Sequence, residues 1–282
     1  MKKILVMILV CIMIGSWIYV YSSRHDIDYL SETHIGGAIL KEPGRQYSED
    51  IYSVRKEPVE GYGDFNRTVT VYGLTLIVHK DIPDDFVLKI TETMKSMFPR
   101  DENMDSELQE QVLQNMYRYK AALPVVKNES DVESVQKELM SNYSVCDIIM
   151  EVDENQVNEI IEHLLHAVSD VGLHYTFTNE WGVSKETAVF NLMQDAISKG
   201  YYNIKEYKGY PEEILNRVLI QEYVYWSITS IWNLQESFDL SGSEWSLTSS
   251  MKVNEFQPEL LKLYELTLKN IIKVPSSETL IY

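Results

Sequence analysis

Three of the chain's six histidines, His163, His166 and His174, fall within twelve positions of one another. Two of them close the run Glu159-Ile160-Ile161-Glu162-His163-Leu164-Leu165-His166. The spacing predicts a helix, on which residues three and four apart share a face. Glu159, Glu162, His163, His166 and Asp170 then form one polar stripe opposite Ile161, Leu164, Leu165 and Val168. Imidazoles and carboxylates at those offsets converge above the helix, where a divalent metal can be held. The alternative is a solvated face that carries two histidines by chance. His174, just beyond Gly172 as the expected helix cap, is either a further ligand or a capping side chain.

A second acid points the same way. In a helix expected over 212–236, Leu215, Val218, Leu219, Tyr225 and Trp226 share an apolar face with Glu222 in its middle. A carboxylate there is expected to be buried, and a buried unpaired charge is strongly unfavourable. Glu222 must therefore be protonated, paired or ligating; a tyrosine hydroxyl or Arg217 would serve as partner as well as a metal would. The candidate ligand set is Glu162, His166 and Glu222, with His163 or Glu159 beside the reacting water. Two carboxylates and one imidazole make a harder site than the usual zinc site of a protease, with zinc still a candidate. Asp101, Asn103 and Asp105 alternate as at the start of a calcium loop, but Ser106 stands at the turn glycine and Val112 at the bidentate glutamate, so a helix-to-helix turn is expected, with weak calcium binding as the alternative. Cys146, in an apolar strand, reads as core.

The elements that must position these residues are of both kinds. Val69, Val71, Leu74, Leu76 and Val78 alternate around Gly73 and predict strand with a bend or bulge. Asp81-Ile82-Pro83 is expected to open a helix to about Phe98, followed by a helix from about Ser106 to Lys120, strands at 122–126 and 145–150, and a helix around 131–141 between them. After residue 153 helices are expected over 154–171, 184–199, 212–236 and 258–272, the last opened by Pro258. The fold class is α+β and helix-rich: a small N-terminal α/β layer, then a mainly helical C-terminal half. A boundary near residue 150 separates either two subdomains or two layers.

Ahead of this domain, expected over 66–282, residues 22–65 lack periodicity and read as a spacer. Ile4 to Tyr21 carries no charge and follows Lys2 and Lys3, the layout of a signal anchor or a signal peptide; its length favours an anchor. The rest of the chain is expected outside the cytoplasm, tethered to the membrane through residues 4–21 or secreted after cleavage. Beyond residue 21 the chain carries 23 lysines and arginines against 43 acids. Such a charge repels phosphate backbones, so nucleic acid is excluded as a partner and cations or a basic protein fit better. Cys11 lies in the apolar segment, which leaves Cys146 without an intrachain partner in the domain.

The segment Glu162–Gly172, with Gln221-Glu222-Tyr223-Val224-Tyr225-Trp226, Val71–Ile77 and the turn at 101–105, resembles an uncharacterised family of exported microbial proteins, a likeness spanning residues 67–282. A helix bearing metal ligands followed by a glutamate on a later helix also resembles, distantly, the gluzincin metallopeptidases, including lethal-factor-like domains. Those use His-Glu-x-x-His, whose histidines hold zinc and whose glutamate activates water. In this chain Glu162 takes the first ligand position and His163 the place of the base; the inverted His-x-x-Glu-His reading puts Glu159 where a histidine belongs. The resemblance thus implies a zincin-like fold with a metal and a degenerate peptidase motif acting on a peptide or protein. The alternative is a non-catalytic cell-envelope domain that binds a protein partner.

Overall fold

The alternating residues around Gly73 fold back on themselves. β2 (Phe65–Val71) and β3 (Leu74–His79) are antiparallel with Val71 opposite Leu74. Tyr72 and Gly73 turn the corner at φ 48° and 86°, the left-handed pair that a two-residue hairpin of right-twisted strands requires. The expected bend is therefore a full reversal. A Cβ on Gly73 would stand 2.3 Å from the carbonyl oxygen of Leu113.

The computed structural model describes residues 39–128, 130–152, 156–210, 212–238 and 243–280; the expected membrane segment lies outside them. Among the described residues no helix is long and apolar enough to cross a membrane. The spacer expected over 22–65 is corrected from residue 39 onward. β1 (Val54–Pro58) pairs antiparallel with β2. All five of its residues are exposed, so no apolar alternation marks it in the sequence. Ahead of it, Ile39 and Ile51 are buried, Leu40 N–H donates to Ser144 Oγ at 2.9 Å, and Tyr52 Oη donates to Gln109 Oε1 at 2.9 Å.

From β3 the chain passes through α1 (Asp84–Met97) and α2 (Ser106–Arg118) to β4 (Ala121–Val126), which runs parallel to β3. Asp105 caps α2 by accepting from Leu108 N–H at 3.0 Å, and Asp101 accepts from Asn103 N–H at 2.8 Å. The acidic turn is thus a capping turn between helices. After α3 (Ser130–Glu133) and α4 (Gln136–Asn142), the strand expected at 145–150 arrives in two pieces. β5 (Ser144–Val145) pairs with the start of β4 and β6 (Ile149–Met150) with its end, both in parallel. In the gap, Asp147 Oδ1 accepts from Ile148 N–H at 2.8 Å, a local bond that competes with the ladder. The result is a six-stranded mixed sheet ordered β1-β2-β3-β4-β5, with β6 also on β4.

β3 and β4 are buried at every position, because both faces of the sheet's centre are covered. Val132, Val135 and Leu139, from α3, α4 and the turn between them, pack on Phe65, Ile77 and Val126. The other face carries the larger core, which runs without a break at residue 150 from Ile39 to Leu280. Into it goes α5 (Gln156–Ala167), continuing through a π-helical stretch, Val168–Leu173, into α6 (His174–Thr176). Gly172 is no helix cap: it lies inside the π-helical stretch, where a Cβ would stand 2.8 Å from Val112 Cγ1 of α2. α7 (Ala188–Ser198), α8 (Glu212–Ile231), α9 (Leu234–Ser237), α10 (Ser250–Phe256), α11 (Pro258–Thr267) and α12 (Ser277–Leu280) complete an α+β fold. The helix expected to reach 236 ends at Ile231, and Asn233 at φ 60° separates it from α9.

Candidate metal centre

The polar stripe of α5 does not face solvent. Glu159 and His163 are buried, His166 and Asp170 are fully so, and Glu162 alone of the stripe is half-buried. α8 packs across one side of α5, while α1, β4 and β6 pack on others. That arrangement removes the solvated-face alternative and brings the expected ligand set together. Glu162, His166 and Glu222 each offer a donor atom within 4.8 Å of the others, and His166 Nε2 lies 3.7 Å from Glu222 Oε1. Arg217 is not the partner of Glu222; it pairs with Asp170 at 3.1 Å.

A second set shares the same histidine. Asp147, His163 and His166 also lie within 4.8 Å of one another. Asp147 sits in the break between β5 and β6, and its Oδ2 is 2.8 Å from His166 Nδ1 and 2.8 Å from His163 Nδ1. Only the contact with His166 has the alignment of a hydrogen bond; that with His163 is a charge contact. Either group of residues can hold a metal ion, but they would use opposite nitrogens of His166.

The electrostatics separate the two. Burial works against the Asp147 charge, yet His163 and His166 outweigh it and hold the carboxyl below the usual range. Burial likewise opposes charge on His163, but Asp147 and Glu159 raise its pKa well above that of free imidazole. On His166 burial wins over the Asp147 contact and the pKa falls. The surroundings thus favour charge on His163 and the neutral ring on His166. With its Nδ1–H directed at Asp147, His166 presents a lone pair at Nε2, an atom that is buried and without a hydrogen-bond partner. This is the carboxylate–histidine arrangement that orients and strengthens metal-binding imidazoles.

On the Nε2 side the acids are under pressure. Burial, followed by the charges of Glu162 and Glu244, raises Glu222 well above the ordinary carboxyl range. Glu162 is pushed up to about 8, chiefly by burial, with His163 pulling the other way and Glu159 adding to the rise. Two like charges about 4 Å apart repel by about 4 kcal/mol at an effective protein dielectric, a large share of a domain's net stability. Glu162 and Glu222 do not both ionise there without a cation between them.

His163 and Glu159 are engaged elsewhere. His163 Nε2 is 3.1 Å from Glu159 Oε1, the same oxygen that accepts Met150 N–H at 2.7 Å. Tyr225 lies edge-on to His166 with ring centroids 6.0 Å apart, and its hydroxyl donates to Asn158 Oδ1. His174 joins neither set; its Nδ1 accepts Val183 N–H at 3.3 Å and steadies the loop after α6. Burial, with Asp170 beside it, pushes the Cys146 thiol far up, as suits a core residue rather than a nucleophile.

Sequence reasoning missed one acid of the site, Asp147. It interrupts an apolar run, the signal that singles out Glu222. No protein-family model matches the chain, and neither the curated proteins nor the solved structures contain a significant match to it.

Proposed function

We propose that the protein binds a divalent metal ion through Glu162, His166 Nε2 and Glu222, in a zincin-like domain of metallohydrolase type that acts on peptides. One observation carries the reading: a buried imidazole whose Nδ1 is tied to Asp147 and whose Nε2 faces two glutamates with no hydrogen-bond partner. A buried polar atom left unmatched is unfavourable, and a cation at that point would satisfy Nε2 and both carboxylates together. When bound, the ion would supply Lewis acidity toward a carbonyl or a water molecule.

The second reading is a non-catalytic domain that keeps the ion for structure and binds a protein partner. It is favoured by His163, which stands where peptidases carry their base yet is 2 % exposed with carboxylates at both nitrogens.

Elemental analysis and thermal melting of the purified full-length protein test the common core of both. Because a ligand of the native state stabilises it by mass action, chelation is expected to lower the melting temperature and divalent ions to restore it. His166→Ala should abolish that sensitivity, since it removes the only nitrogen of the set. Protein that copurifies with no metal and melts unchanged with zinc, manganese or calcium refutes the reading.

A further inference from the structure

Three polar side chains beside the centre belong to neither set of converging donors: Asp170, Arg217 and Gln221, each at most 3 % exposed. Asp170 lies in the π-helical stretch, four residues past His166. Arg217 and Gln221 stand four residues apart on α8 and so share a face. Arg217 Nε donates to Asp170 Oδ2 at 3.1 Å, and its Nη2 lies 3.1 Å from the same oxygen. That Nη2 also donates to the carbonyl of Cys146 and to Gln221 Oε1, each at 3.4 Å. Gln221 Nε2 in turn donates to Asp147 Oδ2 at 3.5 Å, the oxygen that meets His166 Nδ1 at 2.8 Å.

These contacts close a ring that runs from His166 through Asp147, Gln221, Arg217 and Asp170 and back along the helix to His166. Every member is buried. The ring joins the gap between β5 and β6 to both helices that supply donors, since Glu162 and His166 lie on α5 and Glu222 follows Gln221 on α8. Stability alone is a poor reason to keep it. A buried ion pair can often be replaced by packed apolar side chains without loss, and its best-attested use is to fix one arrangement among several. Here one arrangement needs fixing: Cys146, Asp147 and Ile148 lie outside the ladder, so the sheet itself does not set the direction of the Asp147 carboxylate.

We propose that Arg217 and Gln221 are positioning residues of the metal centre: anchored by Asp170, they hold the Cys146 carbonyl and the Asp147 carboxylate so that Oδ2 meets His166 Nδ1 and Nε2 is aimed at Glu162 and Glu222. The inference rests on the metal-binding reading above and adds to it what keeps the ligand set aligned. Neither residue touches the ion. Both act through Asp147, the group that orients the imidazole.

The test is the affinity of the purified, chelator-stripped full-length protein for Zn2+ and for Mn2+, each titrated in competition with a chelator of known affinity. Gln221→Met keeps the size and removes the donor. It should weaken binding by about threefold to tenfold, below the roughly 10–100-fold typical of a ligand's direct partner. Arg217→Lys keeps a charge for Asp170 but loses the fork; it should weaken binding by a similar factor and serves should Gln221→Met not fold. In an Asp147→Ala background Gln221→Met should change affinity by less than about twofold, because the carboxylate it acts through is gone. A residue that only packs would lower the melting temperature of the metal-free protein and leave affinity unchanged, or shift affinity equally in both backgrounds. Either result overturns the inference and lets the three-residue reading stand. If wild type binds neither ion, that earlier reading falls and this inference falls with it.

Discussion

Asp147 holds the two histidines in different states. The same carboxylate oxygen faces His163, whose pKa it raises, and Nδ1 of His166, whose pKa burial lowers. Asp147→Asn keeps the shape but leaves His163 with Glu159 as its only counter-charge. Removing one member of a buried ion pair typically destabilises by 3–5 kcal/mol; here the surviving Glu159 should hold the loss to about 2–3 kcal/mol. Urea unfolding with and without chelator checks this, and metal affinity should fall by about 10–100-fold as His166 loses its orienting acceptor. A variant as stable as wild type in its metal-free form would show that His163 is not charged in the fold. Glu162, His166 and Glu222 were legible in the sequence because helical spacing and an acid on an apolar face are local signals. Asp147 was not, since what brings it to the centre is a broken strand, set by long-range contacts.

At the scale of elements, helix type and position followed from periodicity, while boundaries followed from contacts that periodicity does not encode. α1 begins at Asp84, just past the Asp81-Ile82-Pro83 opening, and α2 at Ser106, behind its cap Asp105. α5 was expected to stop at a capping glycine, but it runs on through the π-helical stretch because Gly172 lets α2 approach closely. Wider turns of this kind are frequent at functional sites, and this one begins two residues after His166. Gly172→Ala would press a methyl group against Val112 Cγ1 at 2.8 Å and Met116 Cγ at 3.1 Å. Overpacking of this degree costs about 1–3 kcal/mol. A melting temperature equal to that of wild type would mean that α2 and the π-helical stretch separate without penalty. β1 escaped notice for the opposite reason: a strand with no buried face has no pattern to read.

For the whole molecule, the segment ahead of β2 belongs to the fold rather than to a tether. Ile39 and Ile51 enter the main core, Ser48 N–H donates to Gln114 Oε1 at 2.9 Å, and Tyr175 Oη donates to Leu40 O at 2.7 Å. A protein starting at residue 59 should accordingly melt well below one starting at residue 39, because two buried isoleucines alone contribute about 3–6 kcal/mol. Equal melting of the two would return residues 39–58 to the role of a spacer.

The break between β5 and β6 also governs how this sheet meets other chains. A sheet edge presents unpaired backbone groups on which a foreign strand can grow, and natural edges are blunted by charge, proline or interruption. One edge here is β1, whose exposed Arg55, Lys56 and Glu57 end at Pro58. The other is β5 and β6, two residues each, parted where Asp147 turns inward. Both edges thus carry devices that blunt edge-to-edge pairing, and the detour that carries Asp147 to the histidines is one of them.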